Sequence, residues 1–129
     1  MKIETKLTLT GALAILAFDA VSAWLTSIGK FPTAVCFITS VSIYFWAAYR
    51  MAIYINVWEA LSLGAFFGLV DATLGAKICT LLGGDPQGVF RNLTLNAWWT
   101  ILFLLMLYGL TISLIAFLVS ALRNKRKTF

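Results

Sequence analysis

The chain has 129 residues, 61% of them hydrophobic and 12% charged, with a net charge of +5. A water-soluble domain of this length needs more polar residues to cover its surface, so the composition points to one domain whose solvent is lipid. The positive charge is gathered behind the last apolar stretch and is not interleaved with aromatics, which argues against nucleic acid as a partner.

Four apolar stretches, near Leu7–Gly29, Thr33–Ile55, Ala60–Leu82 and Ala97–Ala121, are each long enough to cross a hydrocarbon core of about 30 Å at about 20 residues per crossing. They are continuously apolar rather than short and alternating, which makes them helices and not barrel strands. The first begins beside Lys2 and Lys6 and contains Val21-Ser22-Ala23, the small-residue pattern of a leader cleavage site. It stays apolar past that point through Trp24, Leu25 and Ile28, so the reading is an uncleaved span. Asp19, Ser22 and Thr26 share one stripe of it.

A tight hairpin follows, in which Gly29 ends one helix and Pro32 begins the next. The second span carries Cys36, Tyr44, Trp46, Tyr49 and Arg50. The tyrosine hydroxyls and the indole N–H need partners in lipid, and packing against neighbouring helices is the first reading, a cavity for a small hydrophobe the second. Arg50 is expected to snorkel toward the near interface, with Glu59 as a partner. Only a few residues around Asn56 separate spans two and three.

The third span holds Gly64-Ala65-Phe66-Phe67-Gly68, a small-xxx-small motif that lets backbones approach, with Asp71 and Gly75 on the same face. Gly64, Gly68 and Gly75 are therefore the expected helix-packing residues. Lys77 is expected to snorkel outward, and Cys79 lies near the end of the span. Cys36 and Cys79 are read as packed thiols, with a disulfide between them as the alternative. In the longest connection, Gly83–Asn96, Asp85-Pro86 reads as the start of a short interfacial turn and Asn96 as the cap of the last span. The sequon Asn92-Leu93-Thr94 lies too close to the membrane to carry weight.

The last span ends in Arg123, Lys125, Arg126 and Lys127, a cytoplasmic anchor beside anionic lipid headgroups. Counted by side, seven basic residues fall with the termini and three (Lys30, Lys77, Arg91) opposite. The positive-inside rule then places both termini in the cytoplasm. Short links make neighbouring helices antiparallel. The expected fold is an all-α integral membrane protein, with four transmembrane helices in an up-down-up-down bundle and a single membrane domain over residues 1–129.

Asp19 and Asp71 carry the strongest functional signal. A mid-membrane aspartate costs about 2.5–3.5 kcal/mol on insertion scales, so two of them call for a reason. Around them, Phe18-Asp19-Ala20-Val21-Ser22-Ala23 and Val70-Asp71-Ala72-Thr73-Leu74-Gly75 form a faint repeat offset by 52 residues, as a duplicated helical hairpin would. The functional reading is a polar site of Asp19, Asp71, Ser22 and Thr26 that exchanges a proton or cation; the structural reading is protonated carboxyls bonding across helices. With no histidine, no nucleophile elbow and no phosphate loop, an enzyme is not expected, nor a metal or other cofactor.

The stretch Gly68-Leu69-Val70-Asp71-Ala72-Thr73-Leu74-Gly75, followed by Leu82-Gly83, resembles a segment of uncharacterised small four-helix bacterial inner-membrane proteins. The resemblance implies that membrane as the location and carries no activity. Fluoride channels and small multidrug transporters share the size and helix number. The first span lacks the drug transporters' membrane glutamate, and the third lacks the fluoride channels' phenylalanine-threonine pattern. A holin fits poorly with two mid-membrane aspartates. The expectation is a small oligomeric, proton- or cation-linked transporter or channel, and its rival an accessory or scaffolding subunit of a larger membrane complex.

Overall fold

The computed structural model describes residues 1–29, 33–84, 88 and 91–127, with the side chains of 33–37 and 125–127 outside the described set. The described residues form four helices and no strand: α1 (Ile3–Ser27), α2 (Thr33–Tyr54), α3 (Val57–Leu81) and α4 (Leu95–Lys127). Among the described residues, three helices are long and apolar enough to cross a bilayer: Ile3–Ser27, Val57–Leu81 and Leu95–Asn124.

The ends of the helices have local causes. Gly29, at φ +70, takes the left-handed conformation that stops α1, and its N–H donates to Thr26 O. Asn56 caps α3 by accepting the Glu59 N–H at 2.8 Å, so Glu59 sits in the first turn, where its charge suits the helix dipole. The cap of α4 is Thr94, whose hydroxyl accepts the Ala97 N–H, and not Asn96, which lies inside the helix. Past the expected end at Ala121, α4 continues through the basic tail to Lys127. The turns expected at Pro32 and Asp85-Pro86 lie outside the described residues.

The helices do not form a square. Helices α2 and α3 lie against each other in the middle; α1 contacts both of them on one side and α4 contacts both on the other, and the described parts of α1 and α4 do not touch. The core is built of small, aliphatic and aromatic side chains: Tyr44, Ala47, Ala48 and Met51 on α2, Ala60, Leu63 and Phe67 on α3, Ile112, Ser113 and Ala116 on α4. Helix α3 is the most enclosed of the three long apolar helices: in an apolar stretch of 18 residues, 44% of its residues are buried, against 17% for α1 and 22% for α4.

Helix α3 changes partner part of the way along. At Asp71–Gly75 it makes a π turn, in which the Ala76 N–H reaches back to Asp71 O, one residue further than in an α-helix. Before that turn, Val57–Val70 packs mainly on α4; beyond it, Ala76–Leu81 packs on α1 and has left α4. One extra residue in a turn rotates everything after it, and this rotation positions the polar centre described below.

Candidate functional site: a carboxyl pair inside the bundle

The sequence separates Asp19 and Asp71 by 52 residues, and the fold brings them together. Asp71 stands at the first position of the π turn on α3, and Asp19 faces it from α1. Gly75 lies between them. A Cβ there would be 3.0 Å from Asp71 Oδ1 and would overlap Asp19 Oδ2, so glycine leaves room for both carboxyls as they stand. The two are within hydrogen-bonding reach of each other.

Helix α2 supplies the third member. The Tyr44 hydroxyl lies 3.0 Å from Asp71 Oδ2 and 3.1 Å from Phe67 O, so it can donate to either. Tyr44 is 0% exposed, which makes it a fixed strut rather than a mobile arm. Its ring meets those of Phe67 and Tyr108, both at 5.7 Å between centroids, and Ser40 lies beside the Tyr108 hydroxyl. Phe67, also 0% exposed, closes the site toward the end that carries the termini by seating its ring on Gly11, where a Cβ would collide with it.

Asp19 Oδ2 is buried and, among the described residues, accepts no N–H or hydroxyl O–H. The neighbour that can supply a hydrogen there is a carboxyl, its own or that of Asp71. Two like charges at such a separation repel strongly, and one proton shared by the pair both removes the repulsion and completes the hydrogen bond. The arrangement can therefore take up and give up a proton.

The other polar residues of the stripe on α1 do not join the pair. Ser22 Oγ donates to Asp19 O at 3.0 Å and Thr26 Oγ1 to Ser22 O at 2.8 Å, both back onto their own helix. The expected packing glycines divide into two roles. Gly64 and Gly68 form the seam with α4, where a Cβ at Gly64 would overlap Gly109 O and Ser113 Oγ, and one at Gly68 would overlap Leu105 O. Gly75 belongs to the carboxyl pair instead. At the other end of the molecule, Arg50 donates to the Tyr54 hydroxyl and lies over its ring at 5.4 Å, rather than pairing with Glu59. Arg123 donates to the Tyr49 hydroxyl at 2.8 Å and so ties the start of the basic tail to α2. The side chains of Lys125, Arg126 and Lys127, and that of Cys36 with its disulfide alternative, lie outside the described residues.

Sequence reasoning flagged Tyr44 for its hydroxyl but assigned it to general packing. Gly11, Gly109 and the special place of Gly75 went unread, since a glycine in an apolar span looks the same whether it faces lipid, a backbone or a carboxyl. Comparison with family models, with curated proteins and with solved structures found no match for this chain.

Proposed function

We propose that this chain is a small, four-span, oligomeric transporter or channel of a bacterial inner membrane, with both termini in the cytoplasm, in which the Asp19–Asp71 pair carries a proton or exchanges it for a cation. The observation that carries the reading is the meeting of the two carboxyls around Gly75, with Asp19 Oδ2 buried and given no N–H or hydroxyl donor among the described residues. Ionisable groups inside a membrane bundle are costly to keep, and a group that must cycle between protonated and ionised states is a reason to keep them. Tyr44 would then hold Asp71 in place while the proton on the pair comes and goes, its hydroxyl turning between the carboxyl and Phe67 O.

The test is flux through the purified protein in sealed vesicles, read with an internal pH-sensitive dye under an imposed gradient of protons or of a monovalent cation. Asp71→Asn and Asp19→Asn keep the size and much of the hydrogen bonding of the carboxyls but do not ionise. Both variants are expected to fold, to keep their helical content and to lose the dye response. Flux equal to the parent's in the double variant overturns the reading.

A second reading has its own observation. The Tyr44 hydroxyl ties the carboxyl of α3 to α2, as polar glue would in an accessory or scaffolding subunit with no transport of its own. That reading predicts no flux in the parent and co-purification with other membrane subunits.

A further inference from the structure

We propose that the carboxyl pair is entered from the end that carries the termini, through a cleft between α1 and α3, and that the Phe67 ring is the gate between cleft and pair. The inference rests on the proton- or cation-linked reading of the pair and adds to it a route, a gate and a sign of charge. Before the π turn α3 packs mainly on α4 and keeps only slight contact with α1. The gap so left has a volume of about 160 Å³, room for a few water molecules. Its walls include Glu4 and Thr8 of α1 and Glu59, Ser62 and Leu63 of α3.

The floor of the cleft is apolar. Thr8 and Leu63 lie about one helical turn short of Gly11 and Phe67. Gly11 has no side chain, and the fully buried Phe67 ring fills the space where one would stand. About one turn further on come Ile15, also buried, and Asp71, and Asp19 follows a turn after Ile15. The Phe67 ring, backed by Ile15, therefore separates water in the cleft from the carboxyls. Apolar constrictions of this kind stop ions by excluding water, and they open when the ring moves aside. The gate is also tied to the pair. The Tyr44 hydroxyl that reaches Asp71 Oδ2 lies 3.1 Å from the carbonyl of Phe67 itself, so the group that answers to the carboxyl also bonds the backbone of the gate.

The lining sets the sign of what enters. Glu4 and Glu59 place two carboxylates at the mouth, and no basic residue stands among the described lining residues. Two cations of the same end are turned elsewhere, Arg50 to Tyr54 and Arg123 to Tyr49. Walls of one sign raise the local concentration of the opposite ion, so the cleft favours protons and cations over anions. The part of Glu4 and Glu59 is to attract such ions to the route, not to bind them.

The test is thiol labelling of the full chain in sealed vesicles, carrying Cys36→Ala and Cys79→Ala, with the reagent added on the side of the termini. Labelling reads access and not flux, so failure of the entrance is distinguishable from failure of the transport reading. Ser62→Cys, in the cleft, should react about ten-fold faster with a membrane-impermeant cationic methanethiosulfonate than with an anionic one. Glu4→Gln together with Glu59→Gln should remove that preference. Ile15→Cys, behind the gate, should react much more slowly than Ser62→Cys and approach its rate when combined with Phe67→Ala. Phe67→Leu keeps more of the core filled and should give an intermediate rate, which serves where circular dichroism shows Phe67→Ala unfolded. An unreactive Ser62→Cys overturns the entrance. A cation preference unchanged by the two glutamines overturns the role of the carboxylates. Ile15→Cys that reacts as fast as Ser62→Cys with Phe67 in place, or that stays unreactive in a folded Phe67→Ala or Phe67→Leu protein, overturns the gate.

Discussion

Tyr44 is the residue on which the polar centre turns. It is fully buried, on the helix between the others, and its hydroxyl lies within reach of both Asp71 Oδ2 and the Phe67 carbonyl. Removing the hydroxyl leaves a buried carboxyl oxygen without its donor, which costs about 1–3 kcal/mol. Tyr44→Phe keeps the ring contacts with Phe67 and Tyr108 and so isolates that hydrogen bond. We expect Tyr44→Phe to lower thermal stability in detergent by that amount in the parent and by much less in an Asp71→Ala background, where the carboxyl is already gone. Equal losses in the two backgrounds would show that the bond contributes nothing. A side chain at Gly75 would displace Asp19 Oδ2.

At the scale of the element, α3 does two jobs divided at its π turn. The first half is a packing surface. Gly64 and Gly68 let the backbone of α4 approach closely enough that a Cβ on either glycine would meet backbone carbonyls, and Gly109 returns the contact from α4 by facing Gly64 O. Such an approach favours Cα–H···O contacts, which are a recurrent source of helix association where lipid offers no hydrophobic drive. Gly68→Leu must push α4 away and is expected to cost about 3 kcal/mol or more. Ala17→Leu, on the exposed part of α1, adds a larger side chain toward the surroundings and should cost little. The comparison is read as the difference in melting temperature in one detergent, and equal values for the two variants would remove the seam. The second half of α3, rotated by the extra residue at Asp71–Gly75, turns away from α4 to α1, which closes the carboxyl pair.

The whole molecule is a lozenge with α2 and α3 on its short diagonal. The outer faces of α1 and α4 stay apolar and exposed, as at Leu13, Val21 and Trp24 on one side and Phe103, Leu114 and Leu118 on the other. These faces suit lipid on both sides of the bundle or, in an oligomer, a second copy. The end that carries both termini gathers Arg50 with Tyr54 and Arg123 with Tyr49, an aromatic and basic rim of the kind found at a cytoplasmic interface. With seven basic residues on that side and three on the other, a reporter fused after Phe129 should read as cytoplasmic. One inserted within Lys30–Pro32 should read as the opposite side. A non-cytoplasmic signal from the Phe129 fusion would reverse the orientation.

Much of this protein was legible residue by residue. Hydropathy and helix-stop chemistry are local properties, so the apolar helices, the stop at Gly29 and the abnormality of Asp19 and Asp71 can all be read along the chain. The Gly64–Gly68 motif is local too, although the sequence does not say that α4 is what it meets. What only the tertiary structure decided is which faces meet. Lipid and protein are nearly equally apolar to a membrane helix, so hydropathy does not separate a face turned to a neighbour from one turned to the bilayer. For that reason Tyr44 looked like general packing, Gly75 like one more seam residue, and Ser22 and Thr26 like partners of Asp19 rather than of their own backbone. The π turn leaves no mark in composition at all, because it is a choice among backbone hydrogen bonds. It is fixed when α3 satisfies α4 below Asp71 and α1 above it, and a single added residue in the turn lets one helix meet both demands.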